Sequence, residues 1–439
     1  MEKKTLTLNE SITIGLMLFA LFLGAGNIIF PPYLGQLAGD NIVIALIGFL
    51  LTGVGLPLLG ILAIAKAGGD LQTIAGRVHP VFGIVFTGIV YMAIGPFFGI
   101  PRTGTVAYEI GIAPFLSEQQ QSSSLSLFLF TIVFFAIAVL FASNPTKLVD
   151  RIGKILTPIL ILVIGMLAVK SILTPMGSIN APVGNYTTEP FFESFLQGYL
   201  TMDAIAALVF GIVIIQAIRA KGVTDKNVIL KTTAFAGAIA AGGLAVVYLS
   251  LGYIGVTSVD AIGLQDNGGT IIAMSARILY GDFGGIILAA AILFACLTTA
   301  IGLISASAQF TNKIYPKIPY IVYVLIFAAF STAAANVGLT QLLAISLPVL
   351  LAIYPLAIVL VILSFFDYSF GRKPFVYIIP LAVTGVISVF DGLRAAGIEF
   401  QAIDAVLNNI PLYEQGIGWL LPAAIGTIIG VIIARKMMK

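Results

Sequence analysis

Twelve apolar runs, each about long enough to cross a bilayer, divide this chain, and no water-soluble fold absorbs that many. A membrane-crossing helix needs about 20 mostly apolar residues. Breakers and polar loops place the runs at 10–38, 42–65, 80–112, 125–142, 153–173, 191–217, 228–254, 283–310, 318–337, 340–366, 374–396 and 416–434. Composition agrees: 59% of the 439 residues are hydrophobic and 9% are charged, against about 25% charged in a soluble domain. The expected fold is an all-α polytopic membrane protein, one transmembrane domain over 1–439. The third run is overlong and must tilt or project. A shorter helix near 268–280 is expected outside the membrane core. The first run lacks a small-residue cleavage pattern and reads as a membrane helix, not as a cleaved signal.

Orientation follows from the basic residues. With the N-terminus inside, all but four of the 22 Lys and Arg fall on the inner side; the exceptions are Arg102, Lys170, Arg277 and Arg394. The positive-inside rule then makes both termini cytoplasmic. The single cysteine, Cys296, forbids an intrachain disulfide. The single histidine, His79, argues against histidine metal sites and histidine-based triads, and its loop position suggests a solvated side chain. No HExxH, GxGD or serine–histidine pattern points to an intramembrane enzyme.

Two runs are interrupted. The first contains "GAGN" at 24–27, followed by Pro31 and Pro32. The sixth, "FFESFLQGYLTMDAIAALVFGIVIIQAI" at 191–218, is polar at Gln197, Thr201 and Asp203, with Gly198 between. Five runs separate their starts, and five is odd, so a second set of five is inverted against the first. Residues 9–175 are read as one repeat, 190–366 as its inverted counterpart, and 374–434 as two additional helices. Interrupted segments in matching positions of two halves point to a transporter binding site. Broken backbone in lipid leaves polar groups unsatisfied, so it survives only when buried in protein or lining a cavity. There the freed N–H groups suit a carboxylate and the freed carbonyls suit a cation. An isolated interruption reads equally well as a simple kink. Pro31 and Pro32 either shape the outer half-helix or bend it.

In the eighth run, Ala295, Thr298 and Thr299 stand at i, i+3 and i+4 and share one helix face. Two hydroxyls and a carbonyl there are hard oxygen donors for a small cation. Membrane threonines also commonly bond back to their own helix.

The stretches "FALFLGAGNIIFPPYLGQLAG" (19–39), "GIPRTGTVAYEIGIAPF" (99–115), "GYLTMDAIAALVFGIVI" (198–214), "FACLTTAIGL" (294–303), "ISLPVLLAIYPLAIVL" (345–360) and "PLYEQGIGWL" (411–420) occur in this order. Together they resemble the bacterial branched-chain amino acid:cation symporter family, the transport system II carriers of the BrnQ type. The resemblance covers nearly the whole chain. It implies uptake of leucine, isoleucine and valine with sodium as coupling ion, no other cofactor, and the LeuT-type five-plus-five fold. It further implies that the N–H groups of Ala25, Gly26 and Asn27 hold the substrate carboxylate. The carbonyls of Tyr199, Leu200 and Thr201 would face its ammonium group. The carbonyls of Ala20 and Leu23 would join Ala295, Thr298 and Thr299 around one sodium ion. Where neurotransmitter-type members of the fold carry an arginine after the Gly-Asn, this chain has Ile29, so their gating contacts do not carry over.

Three charged residues stand out. An ionisable group as deep as Asp203 is a functional candidate by default; it complements the ammonium, binds a cation or carries a proton, or else fixes the break. Arg102 and Glu109 are seven apart on one helix face and form a possible gate across the outer vestibule, or an interfacial pair. Asp391 and Arg394 read as a surface pair. The expectation is a bacterial cytoplasmic-membrane symporter that binds no nucleic acid. A proton-coupled carrier of the same fold is the alternative, and a channel or intramembrane enzyme the more distant ones.

Overall fold

A computed structural model describes residues 5–121, 123–143, 157–366, 373–398 and 400–436. Among these residues the chain is helical and has no strand. The first run is two helices, α1 (Leu8–Phe22) and α2 (Ala25–Ala38). α3 (Ile42–Leu50) passes through a π-helical turn into α4 (Leu56–Ala67), followed by the short α5 (Leu71–Ala75). The third run is α6 (Pro80–Met92) and α7 (Gly99–Gly111). It is bent rather than simply tilted: Gly95 leaves helical angles and Pro96 lacks a backbone donor. Next come α8 (Ser124–Ala142) and α9 (Thr157–Leu173). Residues 153–156, the expected start of the fifth run, lie outside the described residues.

The sixth run is again two helices, α10 (Pro190–Leu200) and α11 (Asp203–Ala220). α12 (Lys226–Ile262) follows, and then α13 (Gly268–Ile314), which joins the expected outer helix and the eighth run into one 47-residue unit. The corner is Gly281, at φ 63° and ψ −157°, a conformation glycine adopts without steric cost. The chain ends with α14 (Tyr320–Ala335), α15 (Leu339–Phe365), α16 (Phe375–Ala395), the short α17 (Gln401–Leu407) and α18 (Leu420–Lys436). Eight helical stretches among the described residues are long and apolar enough to cross a membrane, and three shorter apolar helices accompany them. The protein is a multi-pass membrane protein.

Local chemistry starts and stops the helices around the breaks. Thr7 and Glu10 form a capping box at the head of α1: the Glu10 N–H donates to the Thr7 hydroxyl at 3.3 Å, and the Thr7 N–H donates to the Glu10 carboxylate at 3.0 Å. α2 continues through Pro31 and Pro32. Neither can donate to the carbonyl four residues back, so Asn27 and Ile28 lose their helical donors. α2 is held by close backbone approach to α12. A Cβ at Gly255 would lie 2.1 Å from the Pro32 carbonyl oxygen, and one at Gly35 would lie 2.3 Å from that of Gly252. Small residues allow such contact, which drives helix association where water cannot.

At the end of the bundle that carries the head of α1, ion pairs tie separate elements. Lys221 pairs with Glu10 at 3.3 Å, and Lys313 pairs with Asp70 at 2.7 Å. Lys66 donates to the Phe365 carbonyl at 2.7 Å.

Candidate functional site

The two breaks meet in one cavity. Its free volume is small, about 30 Å³, and its walls include Gly24–Asn27, Thr201–Asp203, Arg102 and Thr299. That is room for about one or two waters, so an amino acid fits only if the walls move apart.

The first break is built for close approach. α1 ends at Phe22, and the Gly24 N–H donates both to the Phe22 carbonyl at 2.6 Å and to the Asn27 side-chain oxygen at 3.2 Å. A Cβ on Gly24 would meet the Thr299 hydroxyl at 2.9 Å, and one on Gly26 would meet an Arg102 guanidinium nitrogen at 3.0 Å. Only glycine leaves room for both neighbours. Ala25, Gly26 and Asn27 open α2, and the first N–H groups of a helix have no acceptor within it. They point a partial positive charge into the cavity end.

The second break turns on Met202, at φ 66° and ψ 8°. A left-handed conformation at a side-chain-bearing residue costs about 1–2 kcal/mol. The tight turn before it uses the Tyr199 carbonyl, which accepts from the Met202 N–H at 3.0 Å. The Thr201 hydroxyl donates to the Gly198 carbonyl at 2.8 Å and accepts from the Asp203 N–H at 3.3 Å.

A buried polar cluster joins the breaks. Asn27 donates through its amide nitrogen to the Asp203 carboxylate and to the Tyr248 hydroxyl. Tyr248, on α12, donates to the same Asp203 oxygen at 2.7 Å. Asn27 is 1% exposed and Asp203 2%. Tyr248 went unnoticed in the sequence, although a tyrosine within the apolar run "AVVYLSLGY" was the available signal.

Arg102 departs most from expectation. It is 4% exposed and sits at the sixth-helix break. Its two terminal nitrogens donate to the carbonyls of Leu200 at 2.6 Å and Thr201 at 3.1 Å, and its guanidinium lies 5.8 Å from the Phe30 ring centre. Glu109 instead faces the Leu339 backbone N–H at the head of α15, where a helix N-terminus favours an acid. The two share a helix, but their partners differ, and among the described residues they form no ion pair with each other. The carbonyls of Tyr199, Leu200 and Thr201, expected to be open to an ammonium group, all have partners within the protein.

The candidate ion residues come together in part. The Thr299 hydroxyl reaches the Leu21 carbonyl at 3.4 Å, which places the eighth-run face against the end of α1, between Ala20 and Leu23. Thr298 is fully buried and donates to the Ala295 carbonyl at 2.9 Å. Among the described residues no group of three or more His, Cys, Asp and Glu gathers to hold a metal ion; the oxygens on the Thr298–Thr299 face are hydroxyls and carbonyls.

Comparison with solved structures identifies the architecture. A closed, bromovinylhydantoin-bound form of Mhp1, a nucleobase-cation-symport-1 family transporter, superposes with a TM-score of 0.63 over 97% of this chain and 92% of its own, at 13% identity. MhsT in complex with L-phenylalanine gives a TM-score of 0.58 over 96% and 97%, at 15% identity. The fold is that of LeuT-type transporters, in which two interrupted helices are a defining element. Within that class the sequence is specific. Residues 7–437 match the family described as branched-chain amino acid transport protein. The branched-chain amino acid permease BraB of Bacillus subtilis (strain 168) is 50% identical over 432 residues, covering 98% of this chain and 97% of its own. The chain belongs to this family, whose members are named as permeases and not as enzymes.

Proposed function

We propose that the protein is a sodium-driven importer of leucine, isoleucine and valine that works by alternating access. Both termini lie in the bacterial cytoplasm, and residues 9–175 and 190–366 act as inverted halves. The observation that carries this reading is the meeting of both helix breaks in one cavity with Thr299 at its wall. The family supports the substrate class. The substrate carboxylate binds the N–H groups of Ala25, Gly26 and Asn27, and its ammonium group takes the sixth-helix carbonyls, foremost those of Leu200 and Thr201. The apolar wall, which includes Ile94, Ala206, Phe210 and Leu303, receives the branched side chain. Such walls discriminate one methylene by only about 1–3 kcal/mol, so the three substrates overlap.

Sodium binds Ala20, Leu23, Ala295, Thr298 and Thr299. Because α1 and the break supply ion ligands, Ala20 and Leu23, and α2 begins two residues after Leu23 with the substrate ligands, the ion orders the backbone that receives the carboxylate. That shared backbone is the source of coupling. The test is leucine uptake into liposomes with sodium and proton gradients imposed separately. Uptake that follows sodium is expected; flux indifferent to sodium overturns the reading.

One observation favours proton coupling as a second reading. Asp203 is an acid at the junction of both breaks, held by Asn27 and Tyr248. A carrier driven by that group takes up leucine under a proton gradient alone and tolerates loss of Thr299.

A further inference from the structure

We propose that Arg102 is an internal counter-cation that occupies the sixth-helix carbonyls whenever no substrate ammonium does, and that substrate entry displaces it. The inference rests on the reading above, which puts an amino acid at the two breaks. Arg102 donates to the Leu200 and Thr201 carbonyls at 2.6 and 3.1 Å, and an ammonium group would need the same carbonyls at hydrogen-bond distance. A methyl group on Gly26 would touch the same guanidinium, so Arg102 stands directly beside the N-terminus of α2. Each carbonyl has a second lone pair, but two cations side by side in a water-poor cavity repel strongly. Arg102 and the substrate ammonium therefore exclude one another.

Exchange of one cation for the other leaves the local charge unchanged. Asp203 is buried and lines the same cavity as Arg102. A buried carboxylate with no counter-charge is costly. With substrate bound, the ammonium supplies that charge; without substrate, Arg102 does. Arg102 thus serves the empty half of the transport cycle, in which the unloaded carrier must close around vacant carbonyls and return. Its sequence context, "GIPRTG" on a bent helix beginning at Gly99, gives the side chain a nearby corner from which to swing.

The test separates the two halves of the cycle. Wild type and the variants Arg102→Ala, Arg102→Gln and Arg102→Lys are reconstituted, and three quantities are measured: leucine affinity, leucine–leucine exchange, and net leucine efflux into leucine-free medium. Exchange never requires an empty carrier to return; net efflux does. Removing a competitor raises apparent affinity, so Arg102→Ala and Arg102→Gln should bind leucine several-fold more tightly. Their net efflux should fall about tenfold relative to exchange, a difference equivalent to about 1.4 kcal/mol. Arg102→Lys, which keeps a cation, should restore net efflux. The Gln and Lys variants retain a long polar side chain and carry the comparison where Ala does not fold. Weakened leucine binding in Arg102→Gln would overturn the proposal and mark Arg102 as a direct substrate ligand. An unaltered ratio of efflux to exchange would overturn it as well. A wild-type protein that binds no leucine would instead overturn the functional reading beneath it.

Discussion

The side-chain amide of Asn27 donates to the carboxylate of Asp203, joining the starts of two interrupted helices across 176 positions of sequence. Asn27 is the third residue of α2 and Asp203 the first of α11. Each lies just past a break, and each also serves its own break: the Asn27 oxygen accepts from Gly24 N–H, and the Asp203 N–H donates to the Thr201 hydroxyl. Neither half-helix can shift at its open end without disturbing the other.

Asn27→Ala is expected to destabilise the protein by about 1–3 kcal/mol, because it strands a buried carboxylate with one fewer donor. Tyr248→Phe removes a donor to the same oxygen but leaves the Gly24 contact in place, so its effect should be smaller. Thermal unfolding in detergent, with and without leucine, checks both. Wild-type stability and affinity in Asn27→Ala would show that the tie holds nothing together.

The proposed ion site makes a separate prediction. Thr299→Val and Thr298→Ala each delete one hydroxyl from the face next to α1. Each should raise the sodium concentration for half-maximal leucine uptake about tenfold, the equivalent of about 1.4 kcal/mol. Thr299 is the stricter test, since it touches the end of α1 at Leu21 while Thr298 bonds to its own helix. Sodium dependence left intact in both variants would move the ion elsewhere.

Gly26→Ala pits helix propensity against space. Alanine inside a helix is favoured over glycine by up to about 1 kcal/mol. Here the added methyl would lie 3.0 Å from Arg102 and 3.1 Å from the Thr201 Cα. Overpacking of this kind costs about 1–3 kcal/mol, so the variant should lose leucine affinity and should not gain stability. Affinity titrations paired with unfolding curves decide the sign.

Acid should weaken one tie outside the membrane-spanning segments. Burial alone would raise the Asp70 carboxyl, but hydrogen bonds from Lys313 and Thr73 hold it below its ordinary value. The folded state therefore binds this proton less readily than the unfolded chain. Its contribution is present above the unfolded carboxylate value and disappears as pH falls through the folded one. The Lys313 side chain is 55% exposed, so the pair is worth only about 0.5–1 kcal/mol. Asp70→Asn should flatten the acid limb of the stability curve relative to wild type, and Lys313→Ala should reduce it. Superimposable curves would remove the pair from the account.

Both breaks were legible in the sequence because they are local backbone chemistry. "GAGN" cannot sustain a buried helix, and "QGYLTMD" places polar groups where an apolar run should continue. The Thr298–Thr299 face was legible for the same reason, as a helical repeat of oxygen-bearing side chains. Arg102 was misplaced. Seven residues from Glu109 on one helix, it suggested an outer pair, but a long side chain takes its partner from whichever element packs opposite. That partner comes from residues 200–201, and only tertiary structure brings them near. Tyr248 was missed on similar grounds, because an isolated aromatic in a membrane run reads as packing until an acid is found beside it. The sequence left open whether Pro31 and Pro32 shape the half-helix after the break or bend it. α2 runs through them because α12 comes so close that it supplies the packing the missing hydrogen bonds do not.

The corner at Gly281 makes α13 a cranked lever with two points of purchase on the first run. A Cβ on Gly268 would lie 1.7 Å from the Ile29 carbonyl oxygen in α2, and at the other end Thr299 closes on Gly24. One arm therefore rests on α2, and the other grips the joint from which α2 starts. A tilt of α2 toward or away from its neighbours loads both arms at once. Gly281 is the one residue inside α13 that leaves helical angles, so it is where the two arms join.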